Sequence, residues 1–204
     1  MTNKKGMLIV LSGPSGSGKD TILNELTRRE IDVNVSVSMT TRAKRDCEID
    51  GVHYYFVTRE YFERTIAENK ALEYAEYGQN LYGTPKAPVD EMLAAGKTVV
   101  LKIEVQGAER IRSLYPEAVS IFLMPPSMSV LEERLRRRET NDEEDIQRRL
   151  SIAADELRRA TEYDYVVINS IVDYAVSDIS AIIRAERQKT FRNKNIISEV
   201  LNNA

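Results

Sequence analysis

Gly13-Pro14-Ser15-Gly16-Ser17-Gly18-Lys19-Asp20-Thr21 stands between two segments of different periodicity. Before it, Met7-Leu8-Ile9-Val10-Leu11 is an unbroken apolar run, the pattern of a strand buried on both faces. After it, Ile22, Leu23 and Leu26 recur at helical spacing between Thr21 and Arg28. Strand, glycine turn and helix together are the context of a phosphate-binding loop. Its glycines let backbone N–H groups converge on phosphate oxygens, and the helix start adds partial positive charge and unpaired donors. Lys19 is then placed to reach the β- and γ-phosphates of a nucleotide as a mobile point charge. Asp20 occupies the position where the strict pattern has a Ser or Thr that helps hold Mg²⁺, and Thr21 offers a hydroxyl one step later.

Working outward, Val33, Val35, Val37 and Met39 alternate with polar residues and predict one half-buried strand over Val33–Met39. A polar, basic stretch, Thr40 to Arg45, follows, then a turn at Asp50-Gly51 and a short strand at Tyr54–Val57. Thr58 is placed to cap a helix whose apolar face is Tyr61, Phe62, Ile66 and Ala67. Leu72–Tyr77 and Asn80–Tyr82 read as a hairpin closed by Gly78-Gln79, and Pro88–Ala95 as a short helix ended by Gly96. Further on, the spacing predicts a central strand over Thr98–Val105, a helix over Gly107–Ser113 and a buried strand over Val119–Leu123. Helices over Ser129–Arg138 and Asp142–Ala160, a last buried strand at Tyr165–Ile168 and a closing helix from Val172 to about Arg192 complete the chain. Strands alternating with helices argue an α/β fold, a parallel sheet flanked by helices on both faces. The interval of about 35–90 breaks that rhythm and reads as an inserted small α+β subdomain.

Composition sets the outer bounds. A chain of 204 residues with 42% hydrophobic and 30% charged residues suits one substantial core. A net charge of −3 argues against a protein built to coat nucleic acid. No run approaches the roughly 18 apolar residues of a membrane span, and the start carries too short an apolar run for a signal peptide. The single cysteine, Cys47, excludes an internal disulfide, and the single histidine, His53, offers no metal cluster. The expectation is a cytoplasmic protein with no nucleic-acid or membrane partner.

A second constellation lies between Ser38 and Thr84. Arg42 and Arg45 are three apart in a polar loop, and Ser38, Tyr54, Tyr82 and Thr84 add hydroxyls. Paired guanidinium forks and phenols suit a phosphate monoester. Glu73 ends an apolar stretch. One carboxylate can accept both N1–H and the exocyclic amine of guanine, whereas adenine presents a lone pair at N1 that it would repel. Each residue alone also fits a plainer role: solvated loop charges, subdomain packing, a surface strand residue.

The order of these motifs resembles the guanylate kinase family. The resemblance rests on Gly13 to Lys19, Ser36-Val37-Ser38-Met39-Thr40-Thr41-Arg42, Tyr74-Ala75-Glu76-Tyr77 and Tyr82-Gly83-Thr84-Pro85. It continues in Ile103-Glu104-Val105-Gln106-Gly107 and Tyr163 to Asn169, so that it covers essentially the whole chain. It implies γ-phosphoryl transfer from ATP to GMP with Mg²⁺, held mainly by the nucleotide phosphates. It also implies a core over about 6–34, 97–125 and 156–204, a GMP-binding subdomain over about 35–90 and a lid over about 126–155. By the family motif Gly13 to Thr21 bind ATP, with Asn169 near the adenine. Ser38, Glu73, Thr84 and Glu104 face the guanine side, and Arg42, Arg45, Tyr54 and Tyr82 hold the GMP phosphate. Lys19, Arg42, Arg138 and Arg149 surround the transferred group, and the active unit is a monomer or homodimer.

Against that pattern, Asp20 replaces Ser, Thr or Gly, Lys44 and Cys47 replace Pro and Gly, and Arg137 and Glu139 replace lid glycines. Lys102 stands where the family has an acidic residue, and is expected to pair with Glu104 or Asp20. The alternatives are a binding module that no longer turns over, and a kinase for another nucleoside monophosphate or a phosphorylated sugar.

Overall fold

The computed structural model describes residues 6–30, 32–77, 79–137 and 143–202. In chain order the elements are β1 (Met7–Ser12), α1 (Lys19–Arg29), β2 (Val33–Val35), β3 (Met39–Thr40), β4 (Tyr55–Phe56), α2 (Arg59–Ala67), β5 (Ala71–Tyr77) and β6 (Asn80–Pro85). They continue with α3 (Lys86–Ala94), β7 (Thr98–Lys102), α4 (Val105–Leu114), β8 (Val119–Met124), α5 (Met128–Arg136), α6 (Glu143–Arg158), β9 (Tyr165–Ile168), α7 (Val172–Arg187) and α8 (Lys194–Asn202).

The main sheet has the order β2-β7-β1-β8-β9, with every pairing parallel. β1 lies at its centre, and all six of its residues are buried. Their alternation divides the core in two. Met7, Ile9 and Leu11 pack with Ile22, Leu23 and Leu26 of α1 and with Ala175, Val176, Ile179 and Ile183 of α7. Leu8 and Val10 point the other way, toward Val89 of α3 and Ala108 and Ile111 of α4. A continuous apolar strand is thus what a sheet covered by helices on both faces demands.

The second sheet, β4-β3-β6-β5, is mixed: β5 and β6 form an antiparallel hairpin, and β3 pairs parallel to β4. Its separate core is Met39, Phe62, Ala71 and Leu81, closed by α2. Thr58 caps α2 as its sequence implied, its side chain accepting from the Tyr61 N–H.

The structure departs from the sequence reading at several places. The strand expected over Val33–Met39 is two strands in two sheets. Ser36 N–H still donates to Val100 O of the main sheet, while Met39 pairs with Gly83 and Tyr55 of the second. Alternation is satisfied either way, because each half has its own buried face. The strand starting at Thr98 ends at Lys102, and Glu104 is the N-cap of α4, so the two residues do not share one strand face. Tyr61 is exposed, and Thr65 takes the buried position on α2 with Phe62. β9 is an edge strand with Val166 and Ile168 half exposed, not a buried one. The last long helix stops at Arg187, and a further helix, α8, follows.

Candidate active site

The phosphate-loop segment links the end of the central strand β1 to α1, at the carboxyl edge of the parallel sheet, where open α/β sheets form their ligand crevice. Gly18 caps α1 with φ of 98°, a left-handed conformation open to glycine, and a Cβ there would collide with the Asn169 amide. Asn169 is buried, and its Nδ2 donates to Ser17 O at 2.8 Å. Arg134 of α5 adds a second brace, donating to Asn169 O at 2.8 Å. Lys19 folds over the loop, its ammonium 2.5 Å from Gly13 O. From α6, Arg149 donates to the Ser15 hydroxyl.

A cleft of about 580 Å³ runs from this loop to the second sheet. Pro14, Ser15, Gly16, Gly18, Lys19, Asp20 and Arg149 line one end, and Ser38, Arg42, Arg45, Tyr54, Glu73, Tyr82 and Glu104 line the other. Among the residues singled out from sequence, Gly13, Ser17, Thr21, Thr84 and Asn169 are not in its wall. Gly13, Ser17 and Asn169 are buried behind the loop, Thr84 is buried against Glu73, and Thr21 is exposed on α1. Arg138, together with Glu139, lies outside the described residues.

At the far end Glu73 is buried on β5, and its Oε1 accepts from the Thr84 hydroxyl of β6 at 2.6 Å. The register of the hairpin places these two residues opposite one another. The other carboxylate oxygen lies against Gly107 in the first turn of α4, where any Cβ would collide with it. Burial pushes the Glu73 carboxyl up to about 7, with the Thr84 hydroxyl bond opposing and the Glu104 charge adding to the shift.

The same end of the cleft carries a cationic and aromatic group. The Tyr54 and Tyr82 rings meet edge-on with centroids 6.0 Å apart. The Arg42 guanidinium stands 5.7 Å from the Tyr54 ring and is paired to Glu48 Oε1 at 2.6 Å. Glu48 Oε2 also accepts from the Arg45 backbone N–H at 2.9 Å. The Arg42 hydrogen bond holds the Glu48 carboxyl well below its usual range, near about 2. Lys102 is paired with Asp20, Nζ to Oδ1 2.6 Å, and not with Glu104.

Two cleft residues escaped the sequence reading. Glu48 lies three after Arg45 in the same polar loop, a spacing that invites a local ion pair. Glu156 lies seven after Arg149 on α6, hence on the same helical face, and both line the cleft. Burial raises the Glu156 carboxyl to about 7, helped by Glu104 and opposed by Lys19. His53 is exposed and accepts the Ile49 N–H, and Cys47 is an exposed free thiol.

A glycine-rich loop at the head of a parallel sheet, opening on a cleft of mixed cations and one buried carboxylate, defines an α/β phosphate-loop protein of the nucleotide-kinase type. The sequence profile described as guanylate kinase matches residues 5–186. Guanylate kinase of Carboxydothermus hydrogenoformans is 49% identical over 188 residues, 92% of this chain and 92% of that one. Guanylate kinase of Desulfitobacterium hafniense is 46% identical over 200 residues, 98% of this chain and 100% of that one. The crystal structure of guanylate kinase from Anaplasma phagocytophilum superposes with a TM-score of 0.76 at 38% identity, covering 93% and 90% of the two chains. This chain belongs to the guanylate kinase family, which are nucleoside monophosphate kinases.

Proposed function

We propose that the chain transfers the γ-phosphoryl group of ATP to GMP, giving ADP and GDP. The observation that carries this reading is the Glu73–Thr84 pair, a buried acceptor in the same cleft as the phosphate loop. Guanine brings two adjacent donors that favour the ionised carboxylate, whereas adenine would leave that buried acceptor unpaired. Ser38 and Glu104 complete the guanine side. Arg42, Arg45, Tyr54 and Tyr82 take the acceptor phosphate, with the second sheet as the GMP-binding subdomain.

On the donor side, the backbone of Gly13 to Thr21 and the Lys19 ammonium take the ATP phosphates, and Asn169 orders the loop beneath them. Arg149 and Arg138 are assigned to the transferred group, on a lid over about 126–155. Phosphoryl transfer needs in-line positioning and positive charge more than a strong base. The cleft's histidine, His53, is turned to the Ile49 N–H instead. Closure of the lid would keep water from the γ-phosphate.

The donor set fits Mg²⁺ carried by phosphate oxygens and water. Among the described residues no group of three His, Cys, Asp or Glu side chains could hold a metal ion, and Asp20, the carboxylate beside Lys19, is paired with Lys102. When bound with ATP, Mg²⁺ supplies charge neutralisation at the β- and γ-oxygens.

The test is a coupled ADP-release assay with ATP and Mg²⁺, offering GMP, AMP, CMP and UMP in turn. Turnover with GMP at least a hundredfold above the others is expected. Binding of GMP without turnover would leave a silent binding module, and equal turnover of AMP would remove the guanine role of Glu73.

A further inference from the structure

Lys102 is the last residue of β7, and its side chain is only 23% exposed, against 67% for its partner Asp20. An ion pair whose acidic member is mostly in water stabilises a fold little. Bringing an ammonium into the cleft therefore has no adequate explanation in that pair alone. The same ammonium stands 5.3 Å from the Tyr54 ring centroid, and the Arg42 guanidinium stands 5.7 Å from that same ring. Lys102 thus belongs spatially to the Arg42–Tyr54 group, although its hydrogen bond runs to the phosphate-loop side. Burial works against its charge, but Tyr54 and Asp20 outweigh that, and its pKa lies above the ordinary lysine value.

We propose that Lys102 is a phosphate-contacting cation of the acceptor subsite, with Asp20 as its resting counter-ion. The inference rests on the acceptor reading of the Arg42–Tyr54 group. A phosphate monoester seated on Arg42 and Tyr54 offers the ammonium more negative charge, in a drier place, than an exposed carboxylate does. The flexible lysine stem lets the head swing from Asp20 toward Tyr54 without backbone motion. Lys102 thereby joins the acceptor side to the first turn of α1, and Asp20 keeps the ammonium neutralised before substrate arrives.

Calorimetric binding of GMP and of guanosine, which lacks the phosphate, to the full chain tests this. Lys102→Met is expected to weaken GMP at least about tenfold and leave guanosine unchanged, with Lys102→Arg recovering most of the loss. Asp20→Asn, which removes the counter-ion's charge, is expected to hold or raise GMP affinity. The inference is overturned if Lys102→Met binds GMP like the unaltered protein, or loses GMP and guanosine equally. It is also overturned if Asp20→Asn loses as much GMP affinity as Lys102→Met, the mark of a purely structural pair. Should Lys102→Met not fold, by thermal unfolding, Lys102→Gln takes its place in the same comparison of GMP with guanosine, with the same expected and overturning results. If the unaltered protein binds neither GMP nor guanosine, the acceptor reading itself fails and the inference with it.

Discussion

At the scale of single residues, the cleft is set by side chains whose neighbours leave them little choice. Gly107 illustrates this. It lies in the first turn of α4, where replacing glycine by alanine ordinarily favours the helix by about 1 kcal/mol. Here a Cβ meets Oε2 of Glu73, with the carboxyl carbon 3.0 Å away. Gly107→Ala is therefore expected to raise the KM for GMP at least tenfold and, because the collision in a buried site outweighs the gain in helix propensity, to lower the melting temperature, read by steady-state kinetics beside a thermal melt. A KM unchanged from the parent would mean that the Glu73 carboxylate can move aside freely. Glu48 works similarly on the other side, occupying both the Arg42 guanidinium and the Arg45 N–H and so fixing the shape of the basic loop. Sequence marked Arg42 and Arg45 but not their anion, because the alternatives for a loop glutamate differ only in where the chain turns.

At the scale of elements, α5 packs on the phosphate loop as well as on α6. Leu131 and Leu135 pack with Ala153 and Leu150 of α6, and on their other side lie over Gly16, where a Cβ would be 2.9 Å from Leu131 Cδ1. Arg134 on the same helix reaches Asn169 and Ser17. Truncating the contact at Leu135 removes packing from the helix pair and from the loop together. Leu135→Ala is expected to cost about 2–5 kcal/mol of stability and to raise the KM for ATP, with the KM for GMP little changed. Denaturant unfolding and separate titrations of the two substrates measure the two parts, and an equal rise in both KM values would contradict the coupling. The helical periods of α5 and α6 were legible beforehand, since their apolar stripes repeat at 3.6 residues. That α5 braces the loop was not legible, because nothing in its stripe says which apolar surface it will meet.

At the scale of the whole molecule, two carboxyls held above their ordinary pKa make stability depend on pH. Burial raises Glu73 and Glu156 to about 7 from 4.5, so between those values the folded chain binds protons that the unfolded chain has released. Stability from this source is complete below about pH 4.5 and is lost as pH rises through 7. For Glu73 the loss is about 3 kcal/mol, at roughly 1.4 kcal/mol for each tenfold change in proton affinity. The ligand-free protein is expected to unfold at lower urea concentration at pH 8 than at pH 6, and Glu73→Gln to flatten that slope. A slope of the opposite sign would place the charged form of Glu73 in a more favourable setting than its burial implies. This stored cost suits a site whose ligand brings the missing donors.

The division between sequence and tertiary structure follows from range. Local pattern by itself determined the phosphate loop, since strand, glycines, lysine and helix start are all set within a few turns of chain. It determined the α/β class too, because a strand buried on both faces must be apolar throughout, and β1 is. It also marked the polar residues of the second sheet as a nucleotide-like set. Only the tertiary structure decided that Val33–Met39 divides between two sheets, because a period of two is kept whichever sheet a residue joins. Only there did Lys102 choose Asp20, 82 positions away, over Glu104, two positions away, since β7 ends before Glu104 and α4 turns it aside. The Glu73–Thr84 pair and the cost of burying it arose in the same way. Charge and period are written residue by residue, but burial and partnership belong to surfaces that exist only after the sheets have packed.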